Sequence, residues 1–473
     1  MRAAAVNVPG ACRGSRFRLF PAYADGFTEP ELVELSPPAG SLGAGPADRA
    51  MLSVNPVCKD RPYNPPGYMP PYRGPVHAPA RPDSAGHFDW IPVECEQFLA
   101  AHTYGAVRRT LDIWEAELGH RIVWWHAADL PILELIPTVH WANAHSGPGF
   151  IEMGRQPTES GGIAPFCLNY DVLAHETGHA ILFSQIGTPP RGKVTREFLA
   201  FHESFADLIA VIGILHFRAV ATHVLEETRG DLYRPSDASR IGIISRTEQI
   251  RSATSSATMA DVADVQLASD GSWIDPSRKN RNQHAIAEPL TGGIFDILVE
   301  FYQDTLVQER LISEAADARG WTEAEVARAA SLFDRAFGNS FVRFAPIFRA
   351  ALDRARDLVA CCMAHAIRNL RPDTLNFGRV SAWFLEAAVA SGQAHLLPVL
   401  LDRFLRRGID PRPYLAIEAP ARCVRPFLQA PGRLRVAEQP NSMRGAAGPD
   451  MHGFIFAQRS MPHLHREAAM VAG

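Results

Sequence analysis

Two histidines four residues apart bracket a glutamate in the run His175-Glu176-Thr177-Gly178-His179. Residues four apart share one face of a helix, so both imidazoles reach toward one point. Imidazole suits Zn²⁺, and a carboxylate one step along can take a proton from metal-bound water. A catalytic zinc site needs three protein ligands and one open position, so the third ligand decides the reading. One variant would place a histidine six residues after His179. Gln185 stands there, and Leu182 stands where that variant needs glycine.

Downstream lies Phe201-His202-Glu203-Ser204-Phe205-Ala206-Asp207. Glu203 and Asp207 are four apart and share a face. Glu203 can complete a His₂Glu set, and Asp207 can accept the second ring N–H of a ligand histidine. The flanks Phe201, Phe205, Leu208, Ile209, Ile212 and Leu215 make this segment apolar. Charges inside such a helix need a partner or a metal. His202 is a rival ligand, but on a helix it projects about 100° away from Glu203. One catalytic Zn²⁺ is the cofactor expected.

Helices must hold these residues, and the periodicity supplies them. Helices are expected from Asp171 to about Gln185, stopping before Gly187 and Pro189-Pro190, and from about Glu197 to Phe217. Others are expected over Gly293–Glu309, Thr322–Phe337, Phe341–Ile367 and Gly378–Val389. Upstream, Phe98, Tyr104, Val107, Leu111, Trp114 and Leu118 recur at helical spacing, and Gly119 is a natural stop. Arg121–Trp125, Ile132–Ile136 and Phe150–Met153 read as short strands. Four segments result: a proline-rich irregular leader (1–90), a mixed α/β lobe ending in the histidine helix (91–187), a mainly helical lobe (188–410) and a loose tail (411–473). Nine prolines fall between Pro56 and Pro82, so this stretch is expected to be extended or looped, either wrapped on the body or moving freely.

The 473 residues carry a net charge of −4, and 47% are hydrophobic, which excludes a disordered or collagen-like chain. Near-neutral charge gives no case for nucleic acid or an anionic membrane as partner. The longest apolar run, Leu208 to Phe217, is about half of the roughly 20 residues a membrane span needs. Seven scattered cysteines argue against a disulfide framework. Met1 to Phe20 lacks an apolar core of signal-peptide length. The expected location is cytoplasmic, with export by an unusual route left open.

The histidine motif followed by Glu-x-x-x-Asp resembles the gluzincin metallopeptidases, in particular the thermolysin-like family. Asp171-Val172-Leu173-Ala174, Ala101-His102-Thr103-Tyr104-Gly105-Ala106-Val107, Asn143-Ala144 and Thr291-Gly292-Gly293-Ile294 resemble further segments of that family. The resemblance spans roughly 98–310. It implies an α+β fold, with a small mixed N-terminal lobe, a mainly helical C-terminal lobe and the zinc site in the cleft between. It implies that His175, His179 and Glu203 bind zinc, that Glu176 is the general base, and that Asp207 braces a ligand. Asn143 and the backbone of Ala144 would hold an extended peptide by strand addition. The family's oxyanion-stabilising histidine aligns with Pro289, and the nearest histidine is His284, five residues earlier. Arg251 matches the family's arginine for the substrate carbonyl. Asp171 matches a calcium ligand, but Ile214 replaces its partner carboxylate. Calcium is therefore not expected, and Asp171 is expected to cap its helix.

The activity so implied is zinc-dependent endopeptidase action on a peptide or protein substrate. Two alternatives share the zinc: an inactive or self-covered binding scaffold, and an aminopeptidase. Aminopeptidases usually show Gly-x-Met-Glu-Asn, which Gly149-Phe150-Ile151-Glu152-Met153 resembles only superficially. A helical protein with an accidental motif is the reading without zinc.

Overall fold

The periodicity between Phe98 and Leu118 folds as one long helix, α1 (Glu96–Leu118). It ends at Gly119, where φ is 77° and the N–H donates to the Glu115 carbonyl. Glycine enters this left-handed region without steric penalty, which makes it the stop the sequence suggests. The computed structural model describes residues 14–21, 29–157, 163–190, 193–234, 236, 240–243, 249–252, 255–267, 273–274, 283–313, 328, 330–417 and 434–436.

The leader contributes structure. Strands β1 (Gly14–Leu19) and β2 (Glu31–Pro38) pair antiparallel, and β1 and β2 both pack on α1. Strand β3 (Met51–Ser53) joins the main sheet. Phe17, Leu19, Phe20, Val33, Leu35 and Met51 are buried in the shared core. Of the two states left open for this segment, its described part adopts the wrapped one. The proline runs hide these strands, because the strand residues lie before and between the prolines.

The main sheet has four strands in the order β3, β4 (Leu133–Ile136), β6 (Phe150–Met153), β5 (Ala144–Gly147). The first three run parallel and β5 is antiparallel to β6. Every residue of β4 and β6 is buried, as expected for strands covered on both faces. Arg121–Trp125, expected to be a strand, is not one. Ile122 and Trp124 alternate inward as a strand would, but the backbone joins no ladder, and the Trp124 indole N–H donates to the Ala50 carbonyl instead.

Strands β7 (Arg155–Pro157) and β8 (Ile163–Pro165) lead into the helical half. There α2 (Tyr170–Ile186), α3 (Arg196–Ile214) and α4 (Arg218–Thr228) follow in turn. A hairpin of β9 (Arg240–Ile243) and β10 (Gln249–Ser252) precedes α5 (Gln283–Gln308). Helices α6 (Asn339–Asn369), α7 (Phe377–Ala388) and α8 (Leu397–Arg406) complete it. The expected helix Thr322–Phe337 falls largely outside the described residues, within which Ala330–Phe333 is helical. In the tail, Arg412–Tyr414 forms a 3-10 turn and Leu415–Ile417 pairs with Leu434–Val436; residues 418–433 and 437–473 lie outside the described residues.

Helix α5 starts about three turns before the expected Gly293 and runs through Pro289. An interior proline costs about 3 kcal/mol in a helix. Ile286, Ala287, Leu290 and Ile294 are all buried around it, and their packing outweighs that penalty. Helix α3 is buried at every position from Phe198 to Ile214, so it is the central rod of this half.

The span Phe377–Arg406 reaches the length and mean hydropathy, 1.4, of a membrane-crossing helix. Gly392, with φ of 88°, breaks it into α7 and α8. Of the cysteines, Cys58, Cys95, Cys167, Cys361 and Cys362 are free; Cys12 and Cys423 lie outside the described residues.

Candidate metal centre

The histidine motif lies on α2, and Glu203 and Asp207 lie on α3. The Thr195 hydroxyl caps α3 by accepting the Phe198 N–H at 3.1 Å. The two helices approach closely at Gly178. A Cβ there would meet Ala206 Cα at 3.0 Å, so a side chain inside the motif would push α3 away.

This approach brings three donor atoms together. His175 Nε2 lies 3.0 Å from His179 Nε2 and 3.5 Å from Glu203 Oε2. His179 Nε2 lies 3.8 Å from the same oxygen. Tetrahedral zinc with nitrogen and oxygen ligands needs donors about 3.3–3.6 Å apart, and the three distances straddle that range. The Nδ1 of His175 is 2.8 Å from Asp207 Oδ1. A proton on Nδ1 is thereby fixed, and the Nε2 lone pair is left facing the other two donors. The donor set and its spacing thus fit a zinc ion.

Burial tunes the charges. Burial alone would raise the Glu203 carboxyl, but His284, His175 and His179 outweigh it and hold this group well below the ordinary range. Burial lowers His179, against the pull of Glu203, which favours the neutral imidazole that a metal ligand requires. His202 is 3% exposed and sits among the rings of Phe183, Phe198 and Phe201, with centroids at 4.3, 4.8 and 5.9 Å. Burial holds it well below its ordinary value. It is a core histidine outside the three-donor group, in keeping with its projection away from Glu203.

No known protein family's model matches the chain, and no curated protein matches it. Among solved structures the chain is similar to the precursor of protealysin, a metalloproteinase from Serratia proteamaculans. That likeness has 14% identity and a TM-score of 0.33, and it covers 68% of this chain and 89% of the other. A likeness this low carries no weight beside the donor geometry.

His284 comes to the same place from the first turn of α5. Its Nδ1 is 2.8 Å from Glu203 Oε2. The Thr291 hydroxyl donates to the Ser204 hydroxyl at 2.9 Å and ties α5 to α3 one residue from Glu203. Glu176 is buried beside His175 on α2, and its charge is felt at His179. Asp171 lies in the first turn of α2 and accepts the Val172 N–H at 2.9 Å. Arg251, expected in a loop, lies on β10 opposite Ile241, and β9 packs against α2 and α3.

Asn143 directly precedes and Ala144 opens β5, an edge strand that packs against α2. The Gly154 N–H donates to the Asn143 carbonyl at 2.8 Å. Antiparallel alternation then turns the backbone groups of Ala144 and Ser146 away from β6, toward the outer edge. Asn143 Oδ1 accepts the Ala144 N–H at 2.9 Å.

Behind this edge lies a buried ionic network that sequence reasoning missed. Glu152 accepts from Lys59 at 2.6 Å, from the Tyr63 N–H at 2.6 Å and pairs with His145 Nε2 at 2.7 Å. Lys59 Nζ also lies 3.6 Å from the centre of the Tyr63 ring. Burial lowers Lys59, and Glu152 opposes that by holding the charged form. Lys59 and Glu152 are far apart in the chain, and no local spacing marks such a pair.

Proposed function

We propose that this chain is a zinc-dependent metallopeptidase that cleaves peptide bonds within a chain. One observation carries the reading: two imidazole Nε2 atoms and one carboxylate oxygen from two helices converge within 3.8 Å, with Asp207 bracing the first imidazole. His175, His179 and Glu203 would hold the ion, in a cleft between the mixed and helical lobes. Zinc, when bound, supplies Lewis acidity and a water of near-neutral pKa.

The chain's own groups do the rest. Glu176 accepts the proton of the attacking water and returns it to the leaving amine. His284 stabilises the developing oxyanion with an N–H. The outer edge of β5 at Asn143 and Ala144 pairs with an extended substrate, and Arg251 holds a substrate carbonyl. The burial of Glu152 against Lys59 and His145 supports an endopeptidase over an aminopeptidase, because that carboxylate is already engaged and cannot receive a substrate amine.

The test combines zinc content with cleavage of quenched peptides. Wild type is expected to hold one catalytic zinc and to lose cleavage with chelator. Glu176→Gln is expected to keep the zinc and lose about 10²–10⁴-fold in turnover. Native turnover in that variant overturns the assignment, and zinc with no cleavage by wild type leaves a binding scaffold.

A further inference from the structure

Cys58, Asp60 and His140 converge at the surface, apart from the α2–α3 centre. Their ligand atoms all lie within 4.8 Å of one another. Cys58 Sγ is 2.8 Å from Asp60 Oδ1, and His140 Nδ1 is 3.5 Å from the same oxygen. All three residues are exposed. Zinc bound by sulfur, nitrogen and oxygen needs donors about 3.3–3.8 Å apart, which this group reaches by small side-chain rotations.

The backbone beneath is fixed. Cys58 and Asp60 flank Lys59, so in extended chain they leave on one side while Lys59 leaves on the other. Lys59 is anchored inside, its side chain 1% exposed and its Nζ on Glu152. The His140 N–H donates to the Lys59 carbonyl at 2.8 Å, between the two ligand-bearing positions. The Tyr72 hydroxyl donates to the Cys58 carbonyl at 2.7 Å. The two ligand-bearing segments are therefore already stitched together, and only rotamers remain to be set.

We propose that Cys58, Asp60 and His140 form a second metal site, which takes a thiophilic divalent cation of the Zn²⁺ class. One thiolate, one imidazole and one carboxylate suit Zn²⁺ or Co²⁺ and suit Mg²⁺ or Ca²⁺ poorly. Binding replaces the thiol proton that Cys58 otherwise shares with Asp60, so the site takes up metal with release of a proton. The hydrogen bond to Asp60 raises the Cys58 thiol above its ordinary range, with Arg155 a smaller opposing charge, so metal and proton compete for this sulfur. His140 lies three residues before Asn143. A cation here would staple residues 58–60 to the chain that enters the β5 edge.

Cobalt distinguishes this site from the first, because only a thiolate ligand yields sulfur-to-cobalt charge-transfer absorption. The full-length reduced protein is titrated with Co²⁺ alone. The expected result is one equivalent of charge-transfer absorption in wild type and in Glu176→Gln. Cys58→Ser should abolish it and lower total metal by one equivalent. Asp60→Asn and His140→Ala should each weaken Co²⁺ binding at least tenfold. No such absorption in wild type, or absorption that persists in Cys58→Ser, overturns the proposal. Loss in Cys58→Ser with native affinity in both Asp60→Asn and His140→Ala overturns it as well. None of these outcomes depends on peptide cleavage, so the site stands or falls apart from the peptidase reading.

Discussion

Nδ1 of His284 lies 2.8 Å from Oε2 of Glu203, the same oxygen that faces His175 and His179. A residue from the start of α5 thus meets the α2–α3 centre directly. A fourth ligand position and an oxyanion donor can both be reached from there, and they differ in what they do to metal content. As an oxyanion donor, His284→Gln should lower kcat about 10²–10³-fold with zinc content and KM near native. Metal analysis beside steady-state kinetics checks this. A fall in bound zinc would make His284 a ligand instead.

Asp207 acts through His175. Its Oδ1 is 2.8 Å from the ring Nδ1, and the side chains of Asp207 and Glu203 are each only 2% exposed. Asp207→Asn should keep the shape, lose the negative charge and weaken zinc about 10–100-fold. Competition against a chromophoric chelator measures it. Unchanged affinity would mean that the bond only packs the helix.

Gly178 sets the distance between α2 and α3. Alanine there would gain about 1 kcal/mol in helix propensity. The added Cβ would also meet Ala206 Cα at 3.0 Å, and overpacking of this kind costs about 1–3 kcal/mol. The steric term is the larger, so Gly178→Ala should lower the Tm and loosen zinc together. A higher Tm in thermal unfolding would show that the contact relaxes freely.

His102 on α1 gives a pH dependence far from the metal ligands. It is fully buried, and its Nε2 accepts the Phe20 N–H at 2.9 Å. Burial pushes its pKa down to about 4 from 6.5. The unfolded chain therefore binds this proton first as pH falls. The stability it contributes is complete above pH 6.5 and is lost between pH 6.5 and about 4. The loss is about 3 kcal/mol. Urea midpoints at pH 7 and pH 4.5 should differ by less in His102→Gln than in wild type, and equal differences would acquit this residue.

The candidate centre was legible because its residues sit at helical spacings. His175, His179, Glu203 and Asp207 each announce their neighbours within four positions, and α2 and α3 form within two or three residues of the expected limits. His284 was harder to place. The expected helix starts at Gly293, and the resemblance puts Pro289, not His284, at the oxyanion-histidine position, whereas α5 begins at Gln283. The helix carries His284 to Glu203 only because tertiary packing overrides the proline. The strands of the leader are hidden for a related reason. Proline density describes residues 56–82, while the strand pairing of Phe17 with Val33 and the Lys59–Glu152 ion pair depend on partners that no local pattern names. The length of chain between such partners erases the signal.

Helix α3 supplies a candidate ligand, Glu203, and also the brace for a ligand on the opposite helix, Asp207. Any slip of α3 along α2 therefore spoils two contacts at once, so an ion held here acts as a caliper on that helix pair. The relation runs both ways. Each tenfold rise of free metal above its dissociation constant would add about 1.4 kcal/mol to the closed pair. Metal supply and the integrity of the protein's central rod would then be one equilibrium, and starvation for the ion would be felt first as a protein easier to unfold.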